Sequence, residues 1–278
     1  GTLQIQRQFK NLGVNASYTR QVAKDATING STAFTMWGAR PTATDPNNFE
    51  EGYSNNYLPH RIIASVNYGK EFIKNTRTSI GLLYEASPNN AQTSLSYTYG
   101  GDLNNDGFTG NDLIFVPKDA SQIKLTNASA VSGVADTRTQ AELWNQLDAF
   151  ISGNEYLNSR RGMMAERQAM VLPWVHRLDL NLTQDVYIKV GDTKHTLRFT
   201  ADVYNFTNFI SSNLGVQQLP TTITPLNFVK LDTDGKTPIF SFPYLDGKNK
   251  VPYTDSFRDN VGFGSRYQIQ LGVRYLFN

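Results

Sequence analysis

The residues best suited to chemistry lie together in one stretch, Asp102-Leu103-Asn104-Asn105-Asp106-Gly107-Phe108-Thr109-Gly110-Asn111-Asp112. Asp102, Asn104 and Asp106 place side-chain oxygens at the first, third and fifth positions of a loop. Gly107 stands at the sixth, and Phe108 offers a backbone carbonyl at the seventh. Hard oxygen donors spaced by two, followed by a glycine for a sharp turn, are what Ca²⁺ coordination asks of a loop. An EF-hand has a bidentate Glu at position twelve, whereas here Leu113 stands there and Asp112 comes one place early. No cofactor is fixed by the sequence; Ca²⁺ is the candidate, held by Asp102, Asn104, Asp106, Phe108 and Asp112. The alternative is an Asx-rich turn in an exposed loop that binds no metal.

No other pattern points to a reaction. His60, His176 and His195 are far apart and lack the spacing of a zinc hydrolase, so each is expected at a strand end. No nucleophile elbow, phosphate-binding loop or dinucleotide-binding glycine pattern occurs, and Gly262–Arg266 reads as a turn leading into the last strand. Adjacent acids such as Glu50 and Glu51 read as loop charges, because acid–base catalysis needs a spatial constellation that adjacency does not supply. Cysteine is absent, which removes disulfides, thiolate metal sites and cysteine nucleophiles. The expectation is a protein that is not an enzyme.

The elements that must position these residues are β-strands. The 278 residues hold 14 Tyr and 16 Phe with only 18% charged residues, a composition unlike that of disordered chains. No stretch approaches the roughly 20 consecutive apolar residues of a membrane-crossing helix. With 26 basic against 24 acidic residues, the formal net charge of +2 carries no footprint for nucleic acid. Position 1 is Gly and no signal segment follows, so a processed chain or a piece of a longer one is expected.

Period-two alternation marks the strands. Leu3, Ile5 and Phe9, then Val14, Ala16 and Tyr18 after a turn at Lys10–Gly13, predict a hairpin. A loop over about Gln21–Pro59 precedes Ile62, Ala64, Val66 and Tyr68, then Ile80, Leu82 and Tyr84, then Leu95, Tyr97 and Tyr99. Between Gly100 and Leu172 the alternation stops, and Ala141, Trp144, Leu147, Phe150 and Ile151 fall at helical spacing, predicting a short helix within a long loop. Leu178, Leu180 and Leu182 oppose Arg177, Asp179 and Asn181. Leu197, Phe199, Ala201 and Val203 oppose Arg198, Thr200 and Asp202. Weaker segments at Thr224–Leu231 and Thr237–Phe242 flank an Asp-Gly hairpin turn. The last segment sets Tyr267, Ile269, Leu271, Val273, Tyr275 and Phe277 on one face, and Arg266, Gln268, Gln270 and Arg274 on the other.

The pattern predicts about ten strands, with long and short connections alternating. The longest strands, His195–Phe206 and Arg266–Phe277, match the roughly 9–11 residues of a tilted bilayer crossing and carry aromatic residues near their ends. In a membrane barrel, Tyr267, Ile269, Leu271, Val273, Tyr275 and Phe277 would face lipid. Arg177, Asp179, Arg198, Asp202, Arg266 and Arg274 would face the lumen, where they pair with one another, hold a plug or line a ligand path.

Three segments resemble the C-terminal barrel region of Oar-like TonB-dependent receptors of Bacteroidota, relatives of the SusC-like transporters. They are YTYGGDLNNDGFTGNDLIFVP at Tyr97–Pro117, PWVHRLDLNLTQDVYIKVGDTKHTLRFTADVYNFTN at Pro173–Asn208, and LPHRIIASVNY at Leu58–Tyr68. The aromatic final strand fits as well, although Asn278 follows Phe277 where outer-membrane barrels usually end on the aromatic residue. The resemblance implies an all-β antiparallel transmembrane barrel of about 22 strands, plugged by an N-terminal domain. It also implies the outer membrane of a Gram-negative bacterium and uptake of a bulky ligand energised through the TonB complex. Residues 1–278 are then expected to be the C-terminal part of the barrel, with plug and N-terminal domains absent. Its partners would be outer-membrane lipid, the plug, the TonB complex and a surface lipoprotein, which the Trp144 helix or the Tyr53–Tyr57 loop could touch; no nucleic acid is expected. Two rivals stand beside this reading: a small porin-like or structural barrel whose first strand closes on its last, and a soluble glycan-binding β-sandwich.

Overall fold

A computed structural model describes residues 1–26, 32–48, 51–54, 57–89 and 94–277. Strands hold 45% of the chain and helices 13%. Seven strands form one antiparallel sheet: β1 (Thr2–Gln8), β2 (Leu12–Arg20), β3 (His60–Lys70), β4 (Thr76–Pro88), β5 (Trp174–Val190), β6 (Thr193–Tyr204) and β7 (Gln268–Phe277). Neighbours in sequence are neighbours in the sheet, in the order β1-β2-β3-β4-β5-β6-β7. Since β1 and β7 lie at opposite edges, the sheet is open, and the described residues form no closed barrel.

The register joins the two faces across all seven strands. Val14 pairs with Val66, Val66 with Leu82, Leu82 with Leu180, Leu180 with Val203 and Val203 with Ile269. Because side chains alternate with period two, this pairing puts the predicted apolar positions that fall within the seven strands on one face. Arg61, Glu85, Arg177, Asp179, Asn181, Asp185, Arg198, Asp202 and Arg274 fall on the other. That polar face is internally paired. Arg198 forks onto Asp185 at 2.7 and 2.8 Å, Arg177 binds Asp179 at 2.7 Å, and Arg61 binds Glu85 at 2.8 Å. Ile63, Leu83 and Leu276 are apolar exceptions on it. The apolar face has its own exception in Gln184, whose Oε1 accepts a hydrogen bond from Thr78 Oγ1 at 2.6 Å.

The strands are staggered. Following the register from Leu12 at the first turn leads through Tyr68, Ile80, Leu182 and Ala201 to Leu271, which lies in the middle of β7. Likewise β5 pairs with β4 over Trp174–Val186 but with β6 over Leu180–Val190. A progressive slip of this kind is the shear of a tilted, curving sheet.

Three short turns (residues 9–11, 71–75 and 191–192) close one end of the sheet, and three long connections (21–59, 89–173 and 205–267) leave the other. The hydrophobic core sits in the long connections. Tyr97, Tyr99, Ile114, Val116, Leu143, Leu147, Phe150, Leu157, Met170, Phe240 and Phe242 are buried there, whereas among the described residues the seven strands bury only Ala86 and Pro88 of their apolar residues, both at the loop end of β4. Among the described residues four α-helices lie in the long connections: α1 (Ala33–Gly38), α2 (Gln140–Ser152), α3 (Glu155–Ser159) and α4 (Phe206–Ile210). A full capping box fixes the start of α2, with Thr139 and Glu142 exchanging side-chain and backbone hydrogen bonds.

Three sequence expectations are corrected. The sheet has seven strands rather than about ten. Tyr97 and Tyr99, read as a further strand, are core residues of the loop layer, and the hairpin Asn227–Leu231 with Pro238–Ser241 joins Lys124–Thr126 there in a small separate sheet. Both parities of these segments are buried, Ser96, Thr98 and Ser241 as well as the aromatic residues, so they lie inside the loop layer rather than on an amphipathic sheet. Arg266 stands before β7, at the end of a 3₁₀ turn, and so has no assigned face.

A buried ion pair in the second long connection reaches across to the third. Arg138 forks onto Asp136, both side chains under 5% exposed, and also donates to the Phe242 carbonyl at 2.6 Å. Burial works against the Asp136 charge, but hydrogen bonds from Arg138 and from the Ala128 N–H outweigh it and hold this carboxyl well below the usual carboxylate range. The stabilisation is therefore present above about pH 3.9, the unfolded carboxylate value, and is lost as pH falls below it. Arg138→Met, which strands the buried carboxylate, is expected to cost about 3–5 kcal/mol. Thermal melts from pH 3 to 7 should show the wild-type loop layer weakening at low pH and the variant losing that dependence.

Candidate functional site

Asp102, Asn104, Asp106 and Asp112 converge within one loop of that layer. The Asp102 carboxylate accepts the N–H groups of Asp106 (3.1 Å) and Gly107 (2.9 Å), which folds the loop back on its first residue. Asp106 accepts the Phe108 N–H at 2.8 Å, the Asn104 amide at 3.2 Å and the Asn111 amide at 2.8 Å. Asp112, expected to fall one place short of the twelfth position, reaches the loop's start and accepts the Leu103 N–H at 2.8 Å. Leu113, in the place a twelfth-position acid would take, is buried in the layer.

Left-handed backbone at Asn105 (φ 59°) and Gly107 (φ +87°) makes the tight reversal. Burial raises the Asp112 carboxyl; the N–H groups of Leu103 and Asn104 act against that, while the charges of Asp106 and Asp102 add to it. Among the described residues no Lys, Arg or His forms an ion pair with Asp102, Asp106 or Asp112. Nor do three acidic or histidine side chains form a ready-made metal cage among the described residues.

The loop is clamped to its neighbours. Thr42 pairs with Asp112, and the Phe108 ring packs on α1 between Phe34 (4.8 Å) and Trp37 (5.6 Å). It lies so close to Gly38 that a Cβ there would overlap the ring. Beside this junction is a cavity of about 610 Å³ between the first and second long loops, lined by Lys24, Arg40, Tyr53, Arg160, Glu166 and Arg167. Arg167 is nearly buried and binds the Asp25 carboxylate at 2.8 Å. Tyr53 stacks on Tyr57 at 4.4 Å; Glu50 and the two asparagines between those tyrosines lie outside the described residues, as does Asn278. Trp144, on the helix that could either contact ligand or lipoprotein or pack against its own fold, is partly buried against the loop layer's core.

No protein-family model, curated protein or solved structure matches this chain.

Each of the three histidines does stand near a strand end, and each bonds to a tyrosine. Tyr18 meets His60 and Tyr84 meets His176, both at 2.7 Å through Nδ1, and Tyr275 meets His195. The geometry is the same each time. The tyrosine lies directly opposite Ile62, Leu178 or Leu197, and the histidine two residues earlier takes the diagonal position. At the loop end, Tyr18, His60, Trp174, His176 and Tyr84 stack in one continuous row. Sequence reasoning missed this row and also Asn111. The repeated His-x-Ile/Leu starts (His60-Arg-Ile62, His176-Arg-Leu178, His195-Thr-Leu197) carried the signal for the first. The EF-hand template, which assigns no ligand to the tenth position, hid the second.

Two glycines separate the demands of this site. Gly107→Ala meets no atom within 4 Å but must keep a positive φ, and is expected to cost about 1 kcal/mol. Gly38→Ala has ordinary φ but displaces the Phe108 ring, and should cost more. Chemical denaturation of the two variants checks the order.

Proposed function

We propose that these residues form part of an outer-membrane β-barrel, the scaffold and outer loops of a receptor for TonB-dependent uptake of a bulky ligand. One observation carries the reading: the apolar face of the seven-stranded sheet is continuous and uncovered. Leu271 is 77% exposed, Val273 69% and Ile269 53%, and among the described residues no second sheet packs on them. In water an apolar expanse of this extent is unfavourable, whereas in lipid it is required.

The ends of the face support the same reading. His60 to Tyr68 on β3 and Tyr267 to Tyr275 beside and on β7 are both eight residues, or about 27 Å along the strand. Tilt reduces that to somewhat less than the roughly 25 Å of a membrane barrel's apolar band between aromatic girdles. Basic side chains on this face are confined to strand ends, where Arg7 lies over Phe9 and Lys70 over Phe72. The opposite face, with its paired arginines and acids, suits a wet interior or a plug surface. The loop layer and its charged cavity suit ligand capture. The stagger fits a sheet curving into a barrel larger than seven strands, which favours the receptor over a small self-closed porin. A glycan-binding sandwich has no counterpart sheet here to cover the apolar face.

Charge substitution on the two faces tests the membrane assignment. Leu271→Arg should impair outer-membrane assembly by about 2–4 kcal/mol at mid-bilayer depth, while Gln270→Arg should be tolerated. Equal loss in heat-modifiability gels for both would remove the lipid-facing assignment. The denatured polypeptide extracted from outer membranes should also have a mass several times 31.1 kDa; a mass near that value would replace the receptor by a small barrel.

A further inference from the structure

We propose that the Asp102–Asp112 loop is a Ca²⁺ site whose donor set includes Asn111. The acidic spacing alone would not carry this. The independent observation is Asn111: the residue is 2% exposed, and its side-chain Oδ1 is buried with no hydrogen-bond partner. Its Nδ2 donates to Asp106 Oδ2 at 2.8 Å, so the carboxamide head is fixed against the loop's central carboxylate, with the orphan oxygen on the same carbon. A buried amide oxygen without a donor costs on the order of 1–3 kcal/mol, and a hard cation at this loop would remove that cost.

The charge balance points the same way. Asp102, Asp106 and Asp112 bring three carboxylates into one loop, Asp112 is 5% exposed, and no basic side chain among the described residues neutralises any of them. With the amide oxygens of Asn104 and Asn111 and the Phe108 carbonyl, the loop contains six oxygen groups, the lower end of the six to eight that Ca²⁺ takes. The set mixes carboxylates, amides and a carbonyl, so counting acids and histidines alone would miss it. Closing on the ion requires carboxylates to turn away from the N–H groups they now accept. That rearrangement should make binding moderate in affinity and should order the contact with Thr42 and the Phe108 anchor on α1. Mg²⁺, which demands a tight octahedron and dehydrates reluctantly, should be a poor substitute.

The inference does not depend on the membrane reading, because the loop lies wholly in the layer outside the sheet. The test is calorimetry and thermal melting of the full polypeptide in detergent, with Ca²⁺ as the only added probe after chelation. One ion should bind per chain and raise the melting temperature, with Mg²⁺ at the same concentration giving no more than a tenth of the occupancy. Asp106→Asn keeps the shape of the turn and removes a charge, and Asn111→Ala removes the orphan oxygen. Each should weaken binding at least tenfold, while Asp246→Asn in a distant loop should leave it unchanged. If Asn111→Ala destabilises the loop, terbium luminescence of Asn111→Ser distinguishes a lost ligand from a lost fold. No Ca²⁺ binding by the parent, or affinity unchanged in both Asp106→Asn and Asn111→Ala, would overturn the proposal.

Discussion

Everything in this chain depends on a sheet that is amphipathic across its whole width and whose apolar side nothing among the described residues covers. In a soluble β protein the two inner faces of a sandwich satisfy each other. Here the strands contribute almost nothing to the interior, and the buried apolar residues belong to the connections. The sheet is therefore stabilised within the chain by its backbone ladders and by the paired polar face, and its apolar face is left to the surroundings.

The division has an architectural consequence. The long connections do not drape over the sheet but fold into a layer with a core, small sheets, helices and a buried ion pair. Tyr97 and Tyr99 show how firmly that core is set. Burial raises both phenols, Tyr99 to about 12, while Asn154 donates to the Tyr97 hydroxyl and the Tyr99 hydroxyl accepts the Phe115 N–H. A layer built this way can hold a ligand surface or an ion site in fixed geometry, as loosely tethered loops cannot.

Much of the fold was legible because alternation is a strong signal when one face is apolar without interruption. Leu178–Leu182, Leu197–Val203 and Ile269–Phe277 all took their expected parity, and the helix around Trp144 and the hairpins at Lys10–Gly13 and Asp232–Lys236 also appear. What alternation could not convey was which sheet a segment joins: Leu95–Tyr99 and Thr237–Phe242 lie in the loop layer, where Ser96, Thr98 and Ser241 are buried beside the aromatic residues. The candidate site was half legible. Spacing identified Asp102, Asn104 and Asp106, but the place of Asp112 depends on its pairing with Thr42, seventy residues earlier, and the isolation of the Asn111 oxygen depends on burial that no local pattern encodes.

The open edges give the stagger a further meaning. β1 and β7 each present one row of backbone N–H and C=O groups without a partner strand. Water can solvate such a row, but hydrocarbon cannot, and an unsatisfied peptide group there costs several kcal/mol. If the apolar face is bathed in lipid, each edge must be zipped to another strand before the sheet is at rest. Because β1 starts at the low end of the slip and β7 finishes at the high end, any strand that pairs with either edge has to carry the climb onward in the same direction. The seam is thus a directional lock: a strand added flush, without the offset, would leave peptide groups uncovered at one rim.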